Sequence, residues 1–253
     1  AVSNEQLASA QAALIQSEKL ASMGQLAAGI AHEVNNPLGV VLMYAHLLLE
    51  ECPPDSKLRE DLSLVAEQAD RCKKIVSGLL HFARQNKVVL LPVDVCDVVD
   101  SAVRLVVIPD KIKVQVEHTL TDRRAEIDRD QIVQVLTNLI TNAVAAMPEG
   151  GTLRIRTEEQ FGQVKISVTD TGIGIPRENL EKLFTPFFTT KQIGEGTGLG
   201  LAVSYGIVKM HRGDITVTSN ADRSVGPTGT TFTVTLPRKG QQNKVLEEIK
   251  RAT

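Results

Sequence analysis

The sequence predicts a chain in two parts: a two-helix hairpin that dimerises as a four-helix bundle, followed by an α/β sandwich. Three observations predict it. Residues 5–51 hold almost no helix breaker beyond three glycines and Pro37. Leu58, Leu62, Val65, Ala69, Cys72, Ile75 (or Val76) and Leu79 then form the apolar stripe of a second helix. From Val93 to Pro237, short β-rich runs alternate with helical ones, as in a mixed sheet with helices on one face.

Leu7, Ala10, Leu14, Ser17 and Ala21 fall alternately three and four apart, the seam of a weak coiled coil or one face of a long helix. Residues 1–19 are therefore read as a coiled-coil-like helix and 20–85 as the hairpin. The stretch Glu51-Cys52-Pro53-Pro54-Asp55 is a stop and turn, and the second helix runs from about Ser56 to Gln85. Two long antiparallel helices bury little by themselves, so pairing with a second copy is the simplest route to stability. A hairpin packed on the rest of its own chain is the competing arrangement. Residues 86–92 read as a hinge linker.

In the second part, Ile112–Leu120, Gly151–Thr157 and Val164–Thr169 read as strands, the last from the alternation of Val164, Ile166 and Val168. Asp214–Ser219 and Thr230–Leu236 read as a closing pair. Helices are expected at Cys96–Val107, Asp128–Met147 and Leu199–Met210. The tail 238–253 is polar and charged, with no function attached.

Composition narrows the function classes. The chain has 253 residues, 42% hydrophobic and 23% charged, as expected of one large or two ordinary globular domains. A net charge of −2 gives no global pull toward nucleic acid or an anionic membrane. Cys52, Cys72 and Cys96 show no CxxC spacing, which fits a reducing compartment and argues against a disulfide framework or a zinc site. The longest apolar run, Leu38–Leu49, is interrupted by Gly39, Tyr44 and His46 and falls short of the roughly 18 residues of a spanning helix. No signal segment opens the chain. The expectation is a soluble, cytoplasmic segment without membrane contact; whether a full-length protein is membrane-anchored through an N-terminal segment ahead of this one is left open.

Four segments of the second part carry chemistry. On the helix near Asp130–Ala143, Asn138 and Asn142 are four apart and share one face. Each amide can offer an oxygen to a cation and an NH₂ to a phosphate, although two core-edge amides would look the same. Asp170-Thr171-Gly172-Ile173-Gly174-Ile175-Pro176 follows a strand directly; it is a tight turn, or a turn shaped to let backbone approach a ligand. Phe184-Thr185-Pro186-Phe187-Phe188-Thr189-Thr190-Lys191 crowds three of the six phenylalanines into one irregular stretch, with Lys191 able to reach a phosphate. Gly194-Glu195-Gly196-Thr197-Gly198-Leu199-Gly200-Leu201 opens an apolar helix, where backbone N–H groups and the positive helix end suit a phosphate. It lacks the Gly-Lys-Ser/Thr ending of a Walker A loop and the preceding strand of a Rossmann fingerprint.

In this order and spacing the segments resemble the N, G1, F and G2 boxes of the ATP-binding domain shared by histidine kinases, DNA gyrase, mismatch-repair ATPases and heat-shock chaperones. The resemblance covers about Val93–Pro237 and implies ATP and Mg²⁺ as cofactors. It implies that Asn142 ligates Mg²⁺ and that Asn138 lies close to the phosphates. Asp170 would accept from the adenine amine, with Gly172 and Gly174 shaping its pocket. Gly196, Gly198, Leu199 and Gly200 would belong to a lid over the triphosphate, from which Thr190 and Lys191 face the phosphates. The hydrolytic branches resemble Glu-x-x-x-Asn, whereas this chain has Asn138, which cannot act as a base toward water.

The nucleophile is then sought in Gly29-Ile30-Ala31-His32-Glu33-Val34-Asn35-Asn36-Pro37-Leu38. A lone helical histidine is often structural, but Glu33 follows His32 and Asn36 lies one turn on. A carboxylate near the ring can fix its tautomer and stabilise the imidazolium character that develops on attack. This stretch resembles the H box of the dimerisation and phosphotransfer domain of sensor histidine kinases, and the whole looks closest to the nitrogen-regulation-type subgroup. The resemblance implies autophosphorylation of His32, transfer to an aspartate of a response-regulator receiver domain, and phosphatase activity aided by Asn36. It also implies a homodimer. Arg212 stands where the family usually has Gly, and His46, His81, His118 and His211 read as structural or surface residues. An ATPase that uses nucleotide to change shape and a pseudo-kinase scaffold are the competing classes. A eukaryotic-type Ser/Thr kinase is disfavoured, because no His-Arg-Asp or Asp-Phe-Gly segment occurs.

Overall fold

The computed structural model describes residues 34–53, 55–84, 88–191 and 198–239. The chain divides into two compact units: Ala1–Asn86 with Thr189–Leu199, and Lys87–Phe188 with Gly200–Thr253. The coiled-coil-like seam and the tail beyond Lys239 lie outside the described residues.

The first unit is a helical hairpin of α1 (34–51) and α2 (Lys57–Arg84). Its turn is tied by side chains that satisfy the orphan groups of both helix ends. The Ser56 hydroxyl donates to the Pro53 carbonyl at 3.1 Å and accepts from the Arg59 N–H at 3.2 Å, capping α2. The Arg59 guanidinium reaches back to the carbonyls of Leu49 at 2.7 Å and Cys52 at 3.0 Å, closing the end of α1. Ala45, Ala66 and Ala69 are buried, so small side chains set the close approach. Val41, Tyr44, Leu48, Leu58 and Val65 remain 45–59% exposed, so one apolar flank of the hairpin is uncovered within a single chain.

The second unit runs β1 (Leu91–Asp94), α3 (Val95–Leu105), β2 (Ile112–His118), β3 (Arg124–Ile127), α4 (Arg129–Ala145), β4 (Gly151–Gln160) and β5 (Gln163–Asp170). It continues with α5 (Arg177–Leu180), α6 (Gly200–Met210), β6 (Asp214–Asn220) and β7 (Gly229–Pro237). Five strands form a mixed sheet in the order β2-β4-β5-β7-β6, with β2–β4 parallel and the other pairs antiparallel. A parallel neighbour needs a crossover, and β3–α4 supplies it between β2 and β4.

Strand alternation builds the core. Val164, Ile166 and Val168 of β5 lie beside Leu236, Val234 and Phe232 of β7 on the buried face. The opposite face is hydroxylated, with Ser167–Thr233 at 3.2 Å and Thr169–Thr231 at 2.9 Å. Helix α4 packs against α3, α6 and β5, burying Ile132, Val135, Leu136, Leu139 and Ile140. Each such side chain contributes about 1.5–3 kcal/mol of burial.

Within the described residues, the expected strands and helices are present with ends moved by a few residues. Three short elements were not expected: α5, and the two-stranded sheet β1–β3, in which Leu91 pairs with Ile127 and Pro92 with Glu126. Leu91 and Pro92 of the expected hinge are thus strand. Arg238 extends this junction. Its carbonyl accepts from the Glu126 N–H at 2.9 Å, and its guanidinium meets Asp122 at 3.2 Å and Glu159 at 2.9 Å.

Candidate functional site

The site is organised around the end of β5. Asp170 is the last residue of that strand and is 5% exposed. A carboxylate this buried needs donors, and its Oδ1 accepts from the Gly172 N–H at 2.9 Å. Burial pushes its pKa up, while hydrogen bonds from the backbone of Gly172 and Thr230 oppose the rise. The result is an acceptor held by few partners at the mouth of a turn, suited to an exocyclic amine.

The turn itself is pressed between two elements. A Cβ on Gly172 would meet the Ala146 carbonyl oxygen at 2.4 Å, at the end of α4. Gly174 has φ +73°, and a Cβ there would lie 2.0 Å from the Asn220 carbonyl oxygen at the end of β6. Both contacts, and the left-handed conformation at Gly174, require glycine. The Ile173 N–H donates to Ala146 O at 3.0 Å, and the Ile175 N–H to the Ser219 hydroxyl at 2.8 Å. Ser219 in turn donates to Gly229 O at 2.9 Å and lies 2.8 Å from the Thr230 hydroxyl. Thr171 accepts from the Thr152 N–H at 2.9 Å, tying the turn to β4 as well.

Helix α4 carries Asn138 and Asn142 on one face, both partly exposed. It starts from Asp128, whose carboxylate caps the Gln131 N–H at 3.3 Å and accepts from the Val89 N–H at 3.1 Å. Asn138 donates its Nδ2 to the Ser204 hydroxyl of α6 at 2.9 Å. Among the described residues no group of three or more His, Cys, Asp or Glu is arranged to hold a metal ion. Amide oxygens of the Asn138–Asn142 kind suit instead a hydrated Mg²⁺ that arrives with phosphate oxygens.

Asp170, Gly172, Gly174, Asn138, Asn142 and Gly200 thus all belong to the second unit. Thr190, Lys191, Gly198 and Leu199 belong to the stretch grouped with the first unit. Gly198 has φ +66°. Gly196, His32 and Glu33 lie outside the described residues, while Asn36 is exposed on α1. Sequence reading missed Ser204, Ser219 and Thr230, because their partners are 10 to 66 residues away. The one local signal was a buried hydroxyl amid apolar neighbours, as at Ala202-Val203-Ser204.

Two described histidines, His211 and His118, have structural settings. His211 is buried: its Nε2 accepts from the Asp128 N–H at 3.0 Å, so the proton sits on Nδ1, 2.8 Å from Ile207 O. His118 lies between Thr157 at 3.0 Å and Asp100 at 3.4 Å. His46 is exposed on α1.

Comparison with known proteins matches both parts of the chain. Residues 127–240 match the histidine kinase-, DNA gyrase B-, and HSP90-like ATPase family, and residues 22–87 match the His Kinase A (phospho-acceptor) domain. The sensor histidine kinase ZraS of Escherichia coli (strain K12) is 39% identical over 223 residues, covering 87% of this chain and 46% of its own length. The chain thus spans about half the length of the curated relatives it matches. Full-length ShkA in complex with AMPPNP superposes with a TM-score of 0.68 at 26% identity, covering 84% of this chain and 45% of that one. The histidine kinase ThkA in complex with the response regulator protein TrrA gives 0.60 at 26% identity, covering 88% and 64%. The catalytic domain of ThkA alone is 31% identical with a TM-score of 0.50, covering 59% of this chain and 96% of that domain. No helix among the described residues is long and apolar enough to cross a membrane. With a phospho-acceptor region followed by an ATPase domain of this type, the chain belongs to the histidine kinases.

Proposed function

We propose that the chain is the catalytic portion of a two-component sensor kinase, which moves the γ-phosphate of Mg-ATP onto His32 and then onto an aspartate of a response regulator. The observation that carries this reading is the buried Asp170 beside a turn pressed against Ala146 and Asn220, next to the helix that bears Asn138 and Asn142. In this reading Asp170 takes the adenine amine, and Gly172 and Gly174 keep the turn thin enough for the ring. Asn138, Asn142, Thr190 and Lys191 serve the triphosphate, with Gly196, Gly198, Leu199 and Gly200 in the lid. Mg²⁺, held in part by Asn142, supplies neutralisation of charge on the phosphates during transfer. The protein's own contribution is positioning and electrostatics. Glu33 orients the His32 ring and stabilises its developing positive charge.

Three further features support the reading. Asn138 replaces the base that hydrolytic relatives carry, which favours transfer to a side chain over transfer to water. The exposed flank of Val41, Tyr44, Leu48, Leu58 and Val65 is the surface that a second copy covers in a four-helix bundle. ThkA is described in complex with a response regulator, a partner class we carry over to this chain. The part of the expected hinge that precedes β1, residues 86–90, lets the ATP domain approach His32, and reaction with ATP sets this segment on the cytoplasmic side. The Phe184–Lys191 and Gly198–Val203 segments suggest the nitrogen-regulation-like subgroup.

The test is incubation of the purified chain with γ-labelled Mg-ATP beside His32→Ala. Acid-labile, base-stable label that disappears in the variant supports a phosphohistidine at residue 32. Label that persists in the variant rejects that residue. For phosphatase activity we infer that Asn36 orients water toward the phosphorylated regulator. Unchanged dephosphorylation by Asn36→Ala would refute this.

A further inference from the structure

We propose that Ser204 is a positioning residue for phosphoryl transfer, anchoring the Asn138 amide against the first turn of α6. The proposal rests on the nucleotide reading above.

Helix α6 is mostly apolar, and Ser204 sits in it 1% exposed. A hydroxyl so placed requires a partner. Its partner is the Nδ2 of Asn138, 2.9 Å away and 66 residues earlier in the chain. One turn back along α6, Gly200 backs the other end of the same amide: a Cβ on Gly200 would lie 2.3 Å from Asn138 Oδ1. The amide is therefore gripped at both ends by one helix. Its NH₂ is engaged by Ser204, and its oxygen stands against the Cα of Gly200.

This grip holds the amide in place. A serine hydroxyl can donate or accept, so it would pair with either end of an asparagine amide. What Ser204 supplies is an anchor that keeps the Asn138 side chain against α6. Without it the amide loses its partner and can turn out of the position from which it serves the triphosphate. Ser204→Ala removes the anchor without adding bulk. Nucleotide affinity is held at the adenine end by Asp170, Gly172 and Gly174, so the loss falls on the transfer step.

The experiment is a double-mutant cycle on autophosphorylation of the full chain. Ser204→Ala lowers kcat about tenfold while KM for ATP stays within about twofold. In an Asn138→Ala background the same change alters kcat less than about twofold, because its effect passes through that amide. In nucleotide-free protein, the Asn138 side-chain NH₂ resonances shift and exchange faster with solvent in Ser204→Ala. Equal fold-losses in both backgrounds, or unaltered Asn138 resonances, overturn the proposal while the kinase reading stands. A wild-type chain that takes no label overturns both.

Discussion

A methyl group on Gly172 would stand 2.4 Å from the carbonyl oxygen of Ala146 and 2.8 Å from its carbonyl carbon. Both atoms are backbone, so neither can swing aside. Gly172→Ala therefore pushes the turn away from the end of α4 and breaks the 3.0 Å bond from the Ile173 N–H. We expect a stability loss of about 1–3 kcal/mol from overpacking. ATP affinity should fall at least about tenfold, since a displacement costing about 1.4 kcal/mol at the ligand has that effect. Thermal denaturation and nucleotide titration read the two losses. A variant that binds ATP normally would show that the close approach has no role in the pocket.

Asp170 couples function to instability. Burial raises its pKa, so the folded state binds a proton more readily than the unfolded chain does. The sign follows directly: stability falls as pH rises from the unfolded value through the raised folded value, and at neutral pH the buried carboxylate is a burden. Asp170→Asn removes that burden and keeps an oxygen for the Gly172 N–H. It should unfold at the same temperature as the parent or higher at pH 7, while losing about ten- to hundredfold in ATP affinity through the missing charged acceptor. A matched loss of both quantities would point to a purely structural carboxylate.

The pair Gly206 and Arg212 offers stabilisation away from the chemistry. Gly206 lies inside α6 with nothing within 4 Å of the place a methyl group would take, so Gly206→Ala should add about 0.5–1 kcal/mol. Arg212 follows α6 with φ +57°, while the Gly213 N–H returns to Val208 O at 2.9 Å. This is a left-handed helix stop, which explains why glycine suits the position better than arginine. Arg212→Gly should also gain, by up to about 1 kcal/mol. Urea unfolding of each variant measures this, and a loss at Arg212 would mean that its side-chain interactions outweigh the backbone relief.

Legibility in the sequence followed the range of the interaction. Val164, Ile166 and Val168 announced β5 because alternation is local, and Asn138 with Asn142 announced a shared helix face for the same reason. The strands Leu91–Asp94 and Arg124–Ile127 were hidden because each has four residues, one contains Pro92, and their register is set by pairing across the chain. The glycines of the Asp170–Pro176 turn were visible as a motif, but Ala146 and Asn220, the backbones that make them necessary, were not. Ser204 showed only as a hydroxyl in an apolar helix. Its meaning appears only once α4 and α6 are side by side.

His211 makes the second unit acid-sensitive. Burial holds its ring neutral and lowers its pKa from 6.5, with the bond to Ile207 O and the charge of Asp128 opposing. The neutral form is also the one the contacts need, since Nε2 must accept from the Asp128 N–H that opens α4. As pH falls, the unfolded chain takes up a proton near about 6.5, before the native state does. The stabilisation is therefore complete above that pH and is lost as pH falls toward the lowered native value. His211→Gln keeps an oxygen for the Asp128 N–H but has no proton to gain. Its melting temperature should decline less between pH 7 and pH 5 than the parent's, and identical slopes would remove His211 as the source. Because Asp128 also accepts from Val89, protonation at His211 should loosen the link from the linker to α4 in the same pH window, seen as faster hydrogen exchange at the Val89 amide.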